Sequence, residues 1–570
     1  MSAIGIKTVI ILASFLAALA KINSSTGKLP TKLSSFHELE VTAPEGSGCW
    51  APIPPNISNF NSSIYQKFKA ILSESRYQTA SIKRFQEAIH VDTQVNDDYG
   101  DIENDNRWEK FHRFSAFLEL NFPLVHKSLT LERINTHGLL YSWIPEPTNS
   151  GATLAKPILL MAHQDTVPVT EESLGDWKSD PFEGHIDENG IMYGRGVHDD
   201  KNSLISIVEA VELLLRSDFR PNRTVILAFG FDEEISGRRG ALEISKFVEE
   251  SYGKDGLEFI LDEGPGIVNP IAPGDKIAYA TVATAEKGYL DVLIEAKFPG
   301  GHSSLAGKHS LIGIVGEMLS SLENIDPFQP RISQKNPVLG YLACNSFGIP
   351  EVPRLVQQIQ GGNLEAEYAL GSLLENTSIA LLSRTSQAID IISGGQKINA
   401  LPEQVSAGIN YRIAPGLNLA DVKQRIETIL APIAAKHDMC CSFFDGQVDD
   451  CSSGKCLRIS QIGKALEPVD MAPHNSKVFS IVFGTVKSSL AQYYSKEMGV
   501  EKLEVVPTLM AGNTDTRHYW NLTANIFRFR PTRIDAGNNG GHTINEHIYA
   551  IDHFASVDFY ASLILNANDL

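Results

Sequence analysis

Residues 158–170 read ILLMAHQDTVPVT, an apolar run that ends at His163 and Asp165. A short continuous apolar stretch closed by turn formers describes a strand buried on both faces. Its C-terminal tip presents one imidazole and one carboxylate. Residues two apart in extended backbone point to the same side, so Asp165 can orient the ring of His163 and fix its tautomer. Taken alone, a His-x-Asp pair marks a solvated loop more often than a metal site, and the rest of the chain decides between them.

Four further stretches repeat the pattern of an apolar strand or glycine turn ending in ligand-type residues. GRGVHDDKNSL (194–204) holds Asp199 and Asp200 in a glycine-rich turn before a helical run. A carboxylate there can bridge two cations, while its neighbour can cap the helix. TVILAFGF (224–231) runs into Asp232, Glu233 and Glu234. Adjacent acids at the tip of a buried strand repel unless cations neutralise them. Glu234 suits a metal ligand, and Glu233 suits a general base acting on water. FILDEG (259–264) ends in Asp262 and Glu263, and GGHTINEH (540–547) carries His542. His, Asp, Glu and His together are the nitrogen and oxygen donors that zinc takes.

The elements between these motifs alternate. Helix is predicted over 108–118, 203–216 and 237–250, and strand over 139–144, 158–162 and 224–230. Such interleaving argues for an α/β domain, a sheet between helices, with ligands at the carboxyl ends of strands. After Glu286 the rhythm changes: strand 289–298, helix 309–323, strands 377–383 and 405–413, helix 419–436. This predicts an inserted α+β lid, with 325–375 lacking clear period. From about 475 the α/β pattern returns, through strand 526–530 to a C-terminal helix. The expected division is a leader over 1–22, an N-terminal extension over 23–105 with one amphipathic helix near 64–72, a catalytic domain over 106–286 and 451–570, and the lid over 287–450.

A chain of 570 residues with a formal net charge of −19 excludes a nucleic-acid partner, since no basic stripe offsets the repulsion. The apolar stretch from Val9 to Ala20 is shorter than the roughly 20 residues of a membrane span, so it predicts a secretory signal, with an uncleaved N-terminal membrane anchor as the alternative. Six sequons, at Asn23, Asn56, Asn61, Asn222, Asn376 and Asn521, fit an N-glycosylated, secreted or vacuolar protein. Cys440, Cys441, Cys451 and Cys456 crowd together, which predicts local disulfides in an oxidising compartment.

The order HxDxVP, GRGxxDDK, DEE, LDEG and GHTxNE closely resembles the dinuclear zinc metallopeptidases that include aminoacylase and glutamate carboxypeptidase, and most of all their fungal carboxypeptidase S branch. That resemblance spans roughly 106–570. It implies two Zn2+ per chain, His163 and Asp262 on one, Glu234 and His542 on the other, Asp199 bridging, with Glu263 as the alternative to Asp262. It implies Asp165 behind His163, Glu233 as general base and a cis peptide after Asp199. GGHSS (300–304) carries His302, which resembles an oxyanion donor of the lid. GGQKINALP (394–402) offers Asn399, and INYRI (409–413) offers Arg412, whose fork suits a substrate carboxylate. Asp515 and Arg517 in GNTDTRHY (512–519) match residues that shape the pocket.

The implied activity is that of a Gly-X-type carboxypeptidase on short peptides. Hydrolysis or synthesis of N-acyl amino acids on the same metals is the alternative. A receptor that kept the fold without catalysis would have lost a ligand or the base, and all are present. Some relatives dimerise through the lid, so the resemblance allows a homodimer, with His302 acting either in its own site after closure or in a neighbour's.

Overall fold

The computed structural model describes residues 62–146, 155–268, 276–325, 328–345, 348–377, 379–444, 446, 454–535, 538–568 and 570. The expected leader, the sequons at Asn23, Asn56 and Asn61, and Cys451 lie outside them.

Three strands, Ile158–His163, Val225–Gly230 and Phe259–Asp262, are buried along their whole length and pair in parallel. Their side chains alternate between two cores. Ile158, Leu160, Val225, Leu227 and Phe259 face one, Leu159, Met161, Ile226, Ala228 and Ile260 the other. This period of two is why the runs read as continuously apolar. Helices Lys201–Arg216 and Ala550–Ala567 cover the first face, and Ala241–Tyr252 covers the second. Each fully buried Leu or Ile contributes ~1.5–3 kcal/mol of hydrophobic stabilisation.

These strands sit in a ten-stranded mixed sheet, with Ile526–Arg528 parallel to Phe259–Asp262 and Lys502–Met510 parallel to Ile277–Glu286. The arrangement is α/β, as expected. Pairing of His163 with Gly230 aligns the tips of the two central strands, so the residues that follow emerge at one edge.

A second sheet has the order Ser386–Gly394, Gln404–Ile413, Gly288–Lys297, Cys456–Leu466, Cys440–Phe443. Gly288–Lys297 alternates buried and half-buried residues, and its buried face packs on helices Leu311–Asn324 and Leu419–Lys436. Cys456–Leu466 pairs with Gly288–Lys297, so this module runs past the boundary at 450 expected from sequence. Cys440 and Cys456 stand opposite each other in register, and Cys344 is disulfide-bonded.

Three expectations give way. The stretch without clear period contains helices Val338–Cys344, Val352–Gln360 and Leu364–Leu373, which pack on a third core with Val506 and Leu509. Val338–Cys344 is too short to show helical period, whereas Val352, Leu355, Val356 and Ile359 recur at helical spacing and mark the buried face of the second helix. The strand expected at 377–383 is instead a helical turn, Ala380–Ser383, and the strand is Ser386–Gly394. The buried Lys287 ammonium ties that turn off by donating to the carbonyls of Leu381 (2.7 Å) and Arg384 (2.8 Å).

The third concerns the region read as an irregular extension. Besides Ser63–Leu72 it contains helix Ser75–His90, with Phe68, Phe85 and Ile89 in the main core. It grips both leading motifs. The Val95 N–H donates to the Thr166 carbonyl (3.0 Å), and buried Lys201 donates to the carbonyls of Ala88 (3.0 Å) and Val91 (2.7 Å) at the end of that helix.

Candidate metal centre

The aligned tips and two loops bring His163, Asp165, Asp199, Glu233, Glu234, Glu263 and His542 together. His163 Nδ1 lies 3.0 Å from the Asp165 carbonyl and 3.4 Å from its Oδ1. A carbonyl can only accept, so Nδ1 carries a proton, and Nε2 is the nitrogen turned toward the acids of the cluster. Nε2 faces Asp199 Oδ1 at 3.2 Å and Glu263 Oε1 at 3.6 Å. Asp165 is fully buried, and its two carboxylate oxygens accept the backbone N–H of Glu233 (3.2 Å) and Glu234 (3.0 Å). One acid therefore positions both the imidazole and the acidic loop. His542, at φ 60°, holds Nε2 3.1 Å from Glu234 Oε2 and 3.3 Å from Asp199 Oδ2. The Asp199–Asp200 peptide is cis.

Three sets, His163–Asp199–Glu234, His163–Glu233–Glu263 and Asp199–Asp200–Glu263, each have one donor atom per residue within 4.8 Å of the others. Asp262, the expected ligand, joins none of them. Consecutive residues at a strand tip point to opposite sides, and here Glu263 faces His163 and lines the cleft. Glu263→Gln is accordingly expected to weaken zinc binding beyond the ~10–100-fold lost when only a ligand's supporting partner is removed. Asp262→Asn should stay within that range, and metal content across a buffered zinc series reads both.

The donor set fits cations. Burial pushes the Glu233 carboxyl up to about 8 and Asp200 up to about 7, and raises Glu263 well above the usual range. Glu234 Oε1 and both carboxylate oxygens of Asp200 are buried without hydrogen-bond partners. Unpaired buried carboxylate oxygens are costly unless a charge compensates them. Carboxylates and a neutral imidazole suit zinc.

Two further residues organise the site, and sequence reading missed both. Buried Arg530 places Nη2 against Glu263 and 3.2 Å from Asp199 Oδ1, with Nε 3.6 Å from Asp200. Its signal was a charge alternating with phenylalanine in FRFRP. Glu546 accepts the backbone N–H of Gly196 (3.0 Å), His198 (2.8 Å) and Asp199 (3.0 Å) and pairs with Arg195 at 2.6 Å. The last motif thereby holds the glycine-rich turn; its signal was the acid four residues after His542.

A cavity of about 680 Å³ opens over the cluster, lined among others by Glu233, Glu234, His542, Tyr289, Arg412 and Arg517. Arg517 Nη2 contacts Glu233 Oε1 at 3.1 Å. Arg412 stacks 4.6 Å over the Tyr289 ring and donates to Asn513 (3.1 Å) and Asn410 (3.2 Å). Asp515 lies beneath the cavity wall. A β-carbon on Gly237 would meet its Oδ1 at 2.0 Å, so only glycine admits this carboxyl under the Glu233 loop. His302 and Asn399 are not brought to the cleft. They sit together, exposed, where Gly301–His302 pairs with Ala400–Leu401.

Residues 159–566 match the model of peptidase family M20/M25/M40. Carboxypeptidase S of Saccharomyces cerevisiae is 36% identical over 533 residues, covering 91% of this chain and 89% of that protein. The N-fatty-acyl-amino acid synthase/hydrolase PM20D1 of Mus musculus is 31% identical over 461 residues, covering 80% and 82%. Among solved structures, the M20 family metallo-carboxypeptidase Sso-CP2 from Sulfolobus solfataricus aligns with TM-score 0.55 at 18% identity, over 86% of this chain and 99% of that one.

Proposed function

The chain belongs to peptidase family M20/M25/M40, and from that membership we propose that it is a zinc carboxypeptidase that removes the C-terminal residue of short Gly-X-type peptides. Metal-dependent carboxypeptidase activity follows from the family and the carboxypeptidase S relative. The observation that supports the finer reading is that Glu233, the ligand-type residues Asp199 and Glu234, and Arg412 line one cleft.

Two zinc ions would be held by His163 with Glu263 and by Glu234 with His542, with Asp199 between them; when bound they supply Lewis-acid polarisation of the carbonyl and a more acidic water. Asp165 holds the Nδ1 proton of His163 and so presents Nε2 for this task. Arg517 holds one oxygen of Glu233, leaving the other to take the proton of the attacking water and hand it to the leaving nitrogen. Arg412, anchored by Asn410 and Asn513, is suited to the substrate's terminal carboxylate.

The small-sheet module serves as the lid in this reading. Since His302 and Asn399 do not line the cleft of their own chain, they act from the lid of a second copy, as a homodimer would allow. The leader and the sequons assign the protein to the secretory pathway as a secreted or vacuolar glycoprotein. Asn222, Asn376 and Asn521 are all exposed, as glycan acceptors must be.

Hydrolysis of N-acyl amino acids, the activity that the mouse relative's name carries, is the second reading. Benzyloxycarbonyl-Gly-Leu and a fatty-acyl amino acid separate the two. We expect kcat/KM for the dipeptide to exceed that for the acyl substrate by ~100-fold, the discrimination that substrate-pocket contacts supply. Turnover of the fatty-acyl substrate alone would overturn the peptidase reading.

A further inference from the structure

We propose that Asp291 is a positioning residue for the substrate's terminal carboxylate, a task it performs by fixing Arg412 through Asn410 and Tyr289. The proposal rests on the reading of Arg412 as the carboxylate holder and adds the residues that aim it.

Sheet register brings the four side chains together. Strands Gly288–Lys297 and Gln404–Ile413 are antiparallel, with Tyr289 opposite Arg412 and Asp291 opposite Asn410. Residues two apart on a strand share a face, so all four stand on one side of the sheet. Leu290, Tyr411 and Ile413, which alternate with them, are buried in the core on the other side. Tyr289, Asp291 and Arg412 line the cleft.

On that face the contacts close a ring. Arg412 Nε donates to Asn410 Oδ1 (3.2 Å), and Asn410 Nδ2 donates to Asp291 Oδ1 (2.8 Å). The Tyr289 hydroxyl donates to Asp291 Oδ2, and the Arg412 guanidinium lies 4.6 Å over the Tyr289 ring. Arginine can only donate and a carboxylate can only accept, so the Asn410 amide has one orientation that satisfies both. Burial, then the hydrogen bond to Asp291, pushes the Tyr289 phenol up to about 12, which keeps its hydroxyl a donor at neutral pH. Each oxygen of Asp291 thus holds one of the two supports of Arg412.

The indirect linkage matters electrostatically. A carboxylate in direct contact with Arg412 would occupy the fork that a substrate needs. Among the described residues its hydrogen bonds go to two amide oxygens, those of Asn410 and Asn513. Asp291 acts from one residue further away, and its negative charge offsets part of the cost of burying the cation. A guanidinium steadied in this way offers its remaining N–H groups to a substrate carboxylate. Ordering the side chain before the substrate arrives lowers the cost of binding, so the contribution falls on KM and not on the chemical step.

The test measures hydrolysis of benzyloxycarbonyl-Gly-Leu by the zinc-loaded full chain and its Asp291→Ala variant. We expect KM to rise about 5–10-fold, the scale of ordering one long side chain on binding, with kcat within about twofold and zinc content unchanged. Asp291→Asn, which keeps one accepting oxygen, should show a smaller rise, and it carries the test if the alanine variant fails to fold. In an Arg412→Gln background the Asp291 substitution should change kcat/KM by less than about twofold, because its effect passes through the guanidinium. An unchanged KM, a fall in kcat alone, or an equal loss in the Arg412→Gln background would overturn the proposal. Calorimetric binding of N-acetylleucine against N-acetylleucinamide separates it from the parent reading. If the wild-type chain does not cleave the dipeptide, the carboxypeptidase reading fails. Tighter binding of the acid that Asp291→Ala loses still supports the positioning role. Equal binding of acid and amide, or a preference that the variant keeps, overturns it.

Discussion

Replacing Glu233 by glutamine is expected to lower kcat on a blocked dipeptide by ~100–10,000-fold, the usual contribution of a positioned proton carrier. The substitution keeps size and shape, and leaves the backbone N–H of Glu233 to donate to Asp165 as before. The Asp199, Glu234 and His542 contacts do not pass through its side chain. Zinc content and melting temperature should therefore change little while turnover collapses. An amide can still accept from Arg517, which now holds the carboxylate at 3.1 Å, but it cannot take a proton from water. An active Glu233→Gln enzyme with full metal would remove Glu233 from its role and turn attention to another acid of the cleft.

Exhaustive chelation should abolish hydrolysis and lower stability together, and zinc should restore both. A ligand at 1,000 times its dissociation constant stabilises the folded state by ~4 kcal/mol. The physical source is visible in the cluster. Asp199, Asp200 and Glu263 share one buried guanidinium, that of Arg530. Glu234 Oε1 has no hydrogen-bond partner. Removing two divalent cations leaves these acids to repel one another or to take up protons. Unfolding in denaturant, with and without chelator, measures the difference. Unchanged stability and activity in metal-free protein would overturn the metal reading of this cluster.

The strand tips were legible because the physics that makes them is local. An apolar run long enough for a strand but too short for a helix, closed by glycine and acids, can hardly be anything else, and 158–163, 225–230 and 259–262 all fold as strands. The choice between Asp262 and Glu263 was not local. Both are acids at the same tip, and only the position of the neighbouring strand shows that Glu263 faces His163. The helices between Val338 and Leu373 were hidden for a related reason. Their partners Val506 and Leu509 lie more than a hundred residues away, although Val352, Leu355, Val356 and Ile359 do recur at helical spacing and mark the buried face of the middle helix.

Sequence alone determined which chemical groups this protein owns and in what order: His163, Glu233 and Glu234 after apolar strands, and Asp199 and His542 in glycine-rich turns. Tertiary structure decided which of them meet. Asp165 supports the Glu233 loop, Glu546 holds the turn of Asp199, and Arg530 enters the acidic cluster, because parallel strands and two distant loops converge at one edge. It also left His302 and Asn399 outside the cleft of their own chain. Residue type and spacing act over a few ångströms of backbone, whereas a site of buried charges is defined by contacts between segments hundreds of residues apart.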